Sequence, residues 1–206
     1  FLDPWGYKGI TLNLIQQLIA PFGCDCVFFF NYRRINAAAS RADVRNRIVE
    51  FFGQTEGESL ISQIDGRSTA ERERLILLAL KNALKSIGGE FTTSFGFEDD
   101  DCVSHHLVLV SKHVLAEDIM KKIMSKRSTR APHGERGFGF NTRDMAGQGH
   151  LFDEHRDLIK DLAEELILIF AGSTLLVNSI YSQHHPGRSL IDKDYREALL
   201  YLEDQG

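Results

Sequence analysis

The 206-residue sequence has few of the features that define small disulfide-rich proteins or membrane proteins. It holds only three cysteines, Cys24, Cys26 and Cys102, whose odd number and spacing match no disulfide framework and no structural zinc site. Its longest dense apolar stretch, residues 166–171, is far shorter than the roughly 20 residues that cross a bilayer. Because no signal peptide is visible either, we expect a cytoplasmic protein with reduced cysteines and no membrane partner.

Low-complexity tracts and a large excess of one charge are also absent, since the formal net charge is only -5. Apolar residues make up 43% of the chain and charged residues 26%, a balance typical of globular proteins with a substantial core. The slightly acidic total excludes a uniformly basic surface that would coat nucleic acid. A local basic patch remains compatible with it.

The first two thirds of the sequence alternate between helical and strand patterns, which is typical of an α/β fold. A continuous apolar run of valine and phenylalanine over 27–30 predicts a strand covered on both faces, as in a parallel sheet. Ser68 and Glu71 predict a capping box at the start of the longest helix. The predicted elements are, in order, a helix over 11–20, the strand over 27–30, helices over 41–52 and 68–89, a β-hairpin over 90–113 and a helix over 115–126.

Residues 127–150 are polar and rich in glycine, and they predict a linker between two domains. A long helical pattern over 153–171 follows, with two shorter ones over 173–185 and 192–206. Three helices of this size predict a helix-turn-helix or winged-helix unit, whose wing would be expected after Gly206. The sequence therefore divides into residues 1–126, a linker and a helical winged-helix-like domain over 151–206 without its wing.

Six segments stand in a fixed order along the chain. They are DPWGYKG at 3–9, an apolar strand ending in NYRR at 31–34, the long helix over 68–89, HHLVLVSKH at 105–113, DIMKKIM at 118–124 and YREALLYLEDQG at 195–206. This ordered set resembles the three-Cys-motif partner proteins, a bacterial and phage-associated family with a fold like that of S-adenosylmethionine-dependent methyltransferases. The resemblance covers essentially the whole chain, and no single segment would identify the family.

The resemblance implies a Rossmann-like, methyltransferase-type sheet with strand order 3-2-1-4-5-7-6, in which strand 7 is antiparallel between strands 5 and 6. This chain would supply the end of strand 4, strand 5 and the hairpin of strands 6 and 7. It would thus be the C-terminal half of the fold, and the strand over 27–30 and the helix over 11–20 would expose an apolar patch. S-adenosylmethionine is the implied cofactor, although its main binding motifs cannot be assigned to residues of this chain.

The segment Asp3-Pro4-Trp5 resembles the Asp-Pro-Pro-aromatic motif of amino-methyltransferases. The resemblance implies a catalytic role in which Asp3 holds the target amine, Pro4 shapes the turn and Trp5 stacks on a flipped base. The single proline and the following Gly6 depart from that motif. The alternative is a strand-ending turn in which Asp3 caps the helix beginning near Thr11 and Trp5 packs on the core.

Four further residues are candidates for substrate binding at the same sheet edge. Tyr7 follows the Asp-Pro-Trp segment, and Asn31, Arg33 and Arg34 follow the strand over 27–30. Ligands of open α/β sheets bind at the carboxyl ends of the strands, where arginine can engage phosphate or carboxylate. The alternative for the two arginines is a surface pair that anchors the next helix.

A cluster of positive charge is the candidate nucleic-acid-binding site. Its members are Lys121, Lys122, Lys126, Arg127 and Arg130, five cations within ten residues. In a chain of negative net charge this asymmetry is typical of a nucleic-acid footprint. The alternative is a solvated helix end whose cations interact with the helix dipole.

No metal site is predicted, because His105 and His106 point to opposite faces of one strand and no other ligands stand at a diagnostic spacing. The sequence thus favours a methyltransferase-like protein that acts on nucleic acid or on a nucleic-acid-associated partner, with a three-Cys-motif protein as a further expected partner. The alternative is a non-catalytic partner or nucleic-acid-binding module that retains the fold.

Overall fold

The computed structural model describes residues 11–20, 24–39, 41, 45–99, 102–130, 132, 137–141 and 148–205. The predicted catalytic segment with Asp3, Pro4 and Trp5, and the neighbouring Tyr7, lie outside these residues. The described elements are α1 (Leu12–Ile19), β1 (Cys26–Phe30), α2 (Tyr32–Ala39), α3 (Arg45–Phe52), α4 (Gln54–Ile64), α5 (Thr69–Ser86), β2 (Phe91–Asp99), β3 (Cys102–Ser111), α6 (Val114–Ser125), β4 (Phe138–Asn141), α7 (Gln148–Phe170), α8 (Val177–His184) and α9 (Asp192–Gln205).

The described strands form one sheet in the order β1-β3-β2-β4. The hairpin β2–β3 is antiparallel, as predicted, and β3 is also antiparallel to β1. β3 therefore lies between two strands that run opposite to it. This is the arrangement that the resemblance implies for strand 7 between strands 5 and 6. β4 adds a short parallel partner on the outer side of β2.

The apolar run over 27–30 predicts a strand of a parallel sheet, but β1 pairs with β3 in antiparallel register, as the resemblance implies for strand 5 beside strand 7. The two faces of β1 also differ. Cys26, Phe28 and Phe30 are buried, whereas Val27 and Phe29 are only half-buried. The apolar run thus reflects large aromatic residues on both faces, only one of which faces the main core.

Helices cover both faces of the sheet. The main core joins α1–α5 to one face through the side chains of β1 and β3, including Phe28, Val108 and Val110. α6 covers the opposite face, where Met124 packs with Phe95 of β2. The order helix, sheet, helix follows from the alternation of side chains along each strand. The sheet and α1–α6 are called the α/β unit below.

The longest helix of this unit begins as the sequence predicts. The backbone N–H of Ser68 donates to the Glu71 carboxylate at 3.0 Å, and Ser68 accepts from the Glu71 backbone N–H. The Ser68 hydroxyl also donates to the Glu71 carboxylate at 2.7 Å, and this hydrogen bond, together with that from the Ser68 backbone N–H, lowers the pKa of Glu71. After Ser86 the chain turns at Gly88, whose φ of 96° is in the region that favours glycine. The predicted capping box and glycine stop are both confirmed.

Three elements depart from the sequence prediction, namely α2, β4 and α4, for which the sequence predicts only a short helical piece over 58–64 in a loop. α2 has only eight residues, and two arginines and three alanines among them weaken its apolar period. β4, with the sequence Phe-Gly-Phe-Asn, lies inside the predicted linker over 127–150, and α7 begins within the same range. Four residues containing a glycine give too short a pattern to predict a strand.

The C-terminal helices have a core of their own. α7 contributes Ile159, Leu162 and Leu166, and α9 contributes Tyr195 and Ala198. The three predicted helices of this region are therefore confirmed. α7 to α9 are called the C-terminal domain below. No helix among the described residues is both long and apolar enough to cross a bilayer.

The expected apolar patch around β1 and α1 is small in the described part of the chain. Ile15 and Ile19 are fully buried, and Leu18 is 38% exposed. Apolar residues with larger exposed fractions lie on the outer face of α6 and around the end of α7. They are Leu115, Ile119 and Ile123 on α6, and Ile167, Leu168, Ile169, Leu175, Leu176 and Val177 near the end of α7.

Candidate functional site at the junction of the two domains

Asn31 directly precedes α2 and caps that helix. Its side-chain oxygen accepts a hydrogen bond from the backbone N–H of Arg34 at 3.1 Å, and its carbonyl accepts one from Ile35. This is the geometry of a helix cap. Arg33 and Arg34 are exposed in the first turn, with no ion pair to another described residue. Of the predicted substrate-binding residues that are described, only these two arginines are presented at the surface.

The predicted basic cluster does not form one surface. Lys121 is fully buried, and Arg130 is 12% exposed. Lys122 is partly exposed and pairs with Asp118 at 2.9 Å. Only Lys126 and Arg127 are exposed at the end of α6. Lys121 lies on the inner side of α6, and the exposed apolar residues lie on its outer side. The run of cations in the sequence is therefore divided between the interior and the surface of the protein.

The ammonium group of Lys121 binds the loop between α8 and α9. It donates to the carbonyl oxygens of His185 and Arg188 at 3.0 and 2.9 Å, and lies 3.0 Å from His185 Nδ1. An ammonium group has three donors, and these three acceptors match that number. Lys121 thus attaches the α8–α9 loop to the α/β unit.

Glu117, one turn earlier on α6, binds the same loop. Both of its carboxylate oxygens accept from the backbone N–H of Gly187 at 3.1 Å, and one lies 4.0 Å from Lys121 Nζ. Burial raises the pKa of Glu117 and lowers that of Lys121, which shows the cost of placing both charges in the interior. We call Glu117, Lys121 and the contacted loop residues 185–188 the loop clamp.

A second set of contacts joins α6 to α8. The hydroxyl of Tyr181 donates to Asp118, and burial together with this carboxylate raises the pKa of Tyr181. The Tyr181 ring stacks on His185 at 4.2 Å, and Lys122 Nζ lies 5.6 Å from the same ring. The stacked pair of Tyr181 and His185 therefore lies beside the loop clamp and adds an aromatic contact to the junction.

The loop is also tied to the rest of the C-terminal domain. Arg188 donates to both carboxylate oxygens of Glu165 at 2.7 and 2.5 Å, which lowers the pKa of Glu165. His184 Nδ1 lies 2.8 Å from the hydroxyl of Tyr195 on α9. The α8–α9 loop is therefore held from both sides, by α6 and by α7 and α9.

Arg130 occupies a slot formed by two glycines. Gly96 of β2 and Gly139 of β4 are paired in register. A Cβ atom on Gly139 would lie 2.3 Å from Arg130 Nε, and one on Gly96 would lie 2.9 Å from Arg130 Nη2. The guanidinium therefore packs directly on the backbone of these two residues, in space that the Cβ atom of any other residue would occupy.

From this slot Arg130 reaches two carboxylates. Its Nη1 pairs with Glu98, and its Nη2 lies 4.0 Å from Glu73. Glu73 in turn lies 3.2 Å from His106 Nε2, and both of these side chains are buried. Asn141 donates to Glu98 at 3.2 Å. Arg130 thus connects α5, β2, β3 and β4, which is a structural role in place of the predicted contact with nucleic acid.

The position of Glu73 in the sequence is a signal for this network. Glu73 stands at the inward positions of α5, in line with Leu77, Leu80 and Leu84, so it places a charge on an apolar face. A charge at such a position requires a buried partner.

Among the described residues, no group of three or more histidine, cysteine or acidic side chains is arranged to hold a metal ion.

A cleft of about 240 Å³ lies where the two domains meet. β4 pairs only with the second half of β2, from Phe95 onward, and the cleft lies beside the first half. We call it the junction cleft. Its lining residues are Lys81, Thr92 and Ser94 from the α/β unit, Pro132, and Leu158, Gly187, Arg188, Ser189 and Leu190 from the C-terminal domain.

Residues 139–206 match the family model of the GMT-like winged-helix-turn-helix domain, which covers a third of the chain. No curated protein and no solved structure was found to match the chain. The C-terminal domain is therefore a winged-helix domain, as the sequence predicted. The match begins in β4, inside the predicted linker.

The winged-helix region is acidic. Residues 139–206 contain twelve acidic and six basic side chains, a net charge of -6. On α9, Lys193 lies 3.4 Å from Glu197, and Arg196 lies 4.0 Å from Asp192. The cations of this helix are thus offset by its own carboxylates, which disfavours α9 as the main contact to phosphate.

Replacing Gly139 by alanine is expected to lower the free energy of unfolding by at least about 3 kcal/mol, as measured by urea denaturation. The new Cβ would displace Arg130 from its pair with Glu98, and because these side chains are only 12% and 14% exposed, the cost is at the lower end of the about 3–5 kcal/mol for a buried pair. Gly172→Ala is the control, because its φ is 77° and no atom lies within 4 Å of the added Cβ. It should cost only about 1–2 kcal/mol, and equal losses would contradict the slot.

His185→Asn is expected to make the protein less sensitive to mild acid. Burial and Lys121 lower the pKa of His185 below its ordinary value of 6.5. The neutral ring therefore contributes stability that is present above pH 6.5 and lost as the pH falls toward the lowered pKa. Asparagine offers Lys121 an acceptor that does not titrate.

Urea denaturation at pH 7.5 and pH 5 measures this difference, which should be on the order of 1 kcal/mol in favour of the variant. Asp118, Lys122 and Tyr181 also face His185 but remain in both proteins, as does His184. An identical loss of stability in both proteins would show that His185 does not titrate in this range.

Proposed function

We propose that the protein recognises nucleic acid, or a nucleic-acid-associated partner, with a winged-helix domain that is fixed in position on the α/β unit. The loop clamp is the observation that carries this proposal. In helix-turn-helix proteins the connection before the recognition helix sets the angle at which that helix meets its target. Here Lys121 and Glu117 hold this connection, residues 185–188, from outside the domain.

The charge distribution indicates which residues contact phosphate. The winged-helix region is acidic, and the cations of α9 are paired, so the phosphate contacts are proposed for the α/β unit. Lys126 and Arg127 are exposed at the end of α6, the helix that carries the loop clamp. A nucleic acid bound there would lie beside the helix that positions the winged-helix domain.

A methyltransferase activity is the second candidate, and the position of β3 favours it. In the described sheet β3 is antiparallel between β1 and β2, the arrangement that the resemblance implies for the last three strands. S-adenosylmethionine is its proposed cofactor. After β1 the described chain carries Asn31, which caps α2, and the exposed Arg33 and Arg34, and none of these residues is assigned to the cofactor.

The apolar face of α6 supports a protein partner. Leu115, Ile119 and Ile123 are between 51% and 65% exposed and lie one helical turn apart. Contiguous apolar residues at a surface are typical of interaction sites. A three-Cys-motif protein is the partner proposed on the basis of the resemblance.

The double variant Lys126→Ala/Arg127→Ala is expected to weaken nucleic-acid binding mainly at low salt. Fluorescence anisotropy with labelled duplex DNA, single-stranded DNA and RNA gives the dissociation constant across a series of salt concentrations. Each lost phosphate contact should reduce the slope of log K against log salt by about 0.7–0.9. Lys85→Ala, an exposed lysine at the end of α5, is the matched control and should keep the slope.

Absence of binding to all three nucleic acids at low salt would contradict the nucleic-acid proposal and favour a protein partner. Binding with an unchanged slope in the double variant would place the phosphate contacts elsewhere. Because both replaced side chains are exposed, urea denaturation should show an unchanged midpoint.

Titration calorimetry with S-adenosylmethionine tests the second candidate. The methyltransferase candidate predicts a saturable heat of binding. No heat at millimolar cofactor would exclude it and favour the non-catalytic module, without affecting the nucleic-acid proposal.

A further inference from the structure

We propose that two copies of this chain associate through an uncharged apolar patch on the C-terminal domain. The patch consists of the last turn of α7 and the residues around the start of α8, and a turn at Gly172 lies between these two segments. Six aliphatic residues of the two segments are between 41% and 84% exposed. They are Ile167, Leu168, Ile169, Leu175, Leu176 and Val177, and we call them the α7–α8 patch.

The outward face of α7 changes from charged to apolar at its last turn. Asp157, Asp161 and Glu164 are exposed and lie four and three residues apart, so they share this face of the helix. Leu168 is the next residue on the same face, and it is 84% exposed. The core of the domain is built from the other side of the helix, where Leu166 is buried. Leu168 therefore gains little burial within its own domain.

The start of α8 shows a second apolar residue at an unfavourable position. Leu176 is 77% exposed and occupies the N-cap of this helix. Helices favour serine, threonine, aspartate or asparagine at the N-cap, because these side chains accept a hydrogen bond from a free backbone N–H. Leucine has no such acceptor. A contact with another molecule accounts for an exposed leucine at this position.

The segment that carries the patch has no formal charge. Residues 166–187 contain no aspartate, glutamate, lysine or arginine. Glu165 and Arg188, which flank this segment, pair with each other. The centres of protein interfaces are depleted in charged residues in the same way. The composition of the segment is therefore typical of a contact surface between proteins.

The absence of charge in this segment favours a second copy as the partner. In a twofold interface both subunits use the same surface, so that a side chain near the axis meets its own copy. Within the acidic winged-helix region, a carboxylate at that place would face another carboxylate. A different protein is usually selected by complementary charges, and a lipid surface favours cations beside the apolar residues. Residues 166–187 offer neither lysine nor arginine for these purposes.

The exposed area of the patch fits a dimer of moderate affinity. Its six residues expose on the order of 600 Å², the upper end of the largest apolar patch on an ordinary monomer. Two copies would bury on the order of 1,200 Å², which is the lower end of the range for specific interfaces. We therefore expect a dissociation constant in the micromolar range.

Dimerisation would bring two winged-helix domains together. Helix-turn-helix proteins that dimerise bind two half-sites, whose symmetry matches that of the protein. This consequence rests on the nucleic-acid function proposed above. The dimer itself does not, and it is measured without nucleic acid, so that either proposal can fail while the other stands.

Sedimentation equilibrium of the full chain tests the association directly. Over concentrations from about 1 to about 200 µM, the average mass should rise from that of a monomer toward that of a dimer, since this range brackets a micromolar dissociation constant. A monomer throughout the range would overturn the proposal.

Two matched leucine variants locate the contact. Leu168→Glu places a carboxylate in the patch and should raise the dissociation constant of the dimer at least about tenfold, because like charges would meet across the interface. Leu200→Glu makes the same change at a leucine of α9 that is 59% exposed, and it should leave the constant unchanged. Both side chains are exposed, so the urea midpoints should stay close to that of the unsubstituted chain.

Equal dissociation constants in the two variants would overturn the patch as the interface. Leu115→Glu tests the apolar face of α6 in the same way. A dimer that is lost in Leu115→Glu and kept in Leu168→Glu would place the second copy on α6, which contradicts the proposal.

A mixture of Leu168→Glu with Leu168→Lys tests whether the patch meets its own copy. At low salt the mixture should form dimers at lower concentration than either variant alone, because opposite charges then face each other. Absence of this recovery would contradict a twofold contact at the patch.

Flotation with vesicles of phosphatidylcholine and phosphatidylglycerol distinguishes a lipid surface from a second copy. We expect the chain to remain unbound. Binding to these vesicles that is lost in Leu168→Glu, by a chain that stays monomeric in solution, would overturn the dimer.

Discussion

The buried ammonium group of Lys121 is the constraint on which the arrangement of the two domains depends. A charge in the interior is stable only where its hydrogen-bonding capacity is satisfied, and three acceptors from His185 and Arg188 meet that need. All of them belong to the winged-helix domain, whereas Lys121 belongs to α6. If the domain moved away, the ammonium would lose these acceptors and Glu117 would lose the hydrogen bonds from the backbone N–H of Gly187. The electrostatic requirement of one side chain therefore fixes the position of a whole domain.

Arg130 imposes a similar constraint on the sheet. Its guanidinium lies across the glycine pair of β2 and β4 and links Glu98 to the buried Glu73. β4 is the strand in which the winged-helix match begins, although it pairs within the sheet of the α/β unit. The loop clamp thus holds the C-terminal domain on α6, and the arginine slot fixes β4, the strand that precedes this domain in the chain.

Helix and hairpin positions could be predicted from the sequence because their signals are local. Ser68 and Glu71 define the start of α5, and apolar residues at helical spacing define the three helices of the C-terminal domain. The roles of Lys121 and Arg130 could not be predicted, because five neighbouring cations in a sequence give no information on which faces are buried. The partners of Lys121 lie 64 and 67 residues away, and no local pattern connects them. Of the five cations in the predicted nucleic-acid-binding cluster, Lys121 and Arg130 have structural roles, Lys122 pairs with Asp118, and only Lys126 and Arg127 are exposed.

Amide hydrogen exchange of Lys121→Met tests the central claim most directly, with Lys126→Met as the exposed control. If Lys121 holds the winged-helix domain, the Gly187 amide and its neighbours in the α8–α9 loop should exchange at least about tenfold faster, since hydrogen bonds to charged groups are worth about 1.5–3 kcal/mol. Protection of β2 and β3 should remain. Unchanged exchange at Gly187 in Lys121→Met, or an equal change in Lys126→Met, would contradict this account.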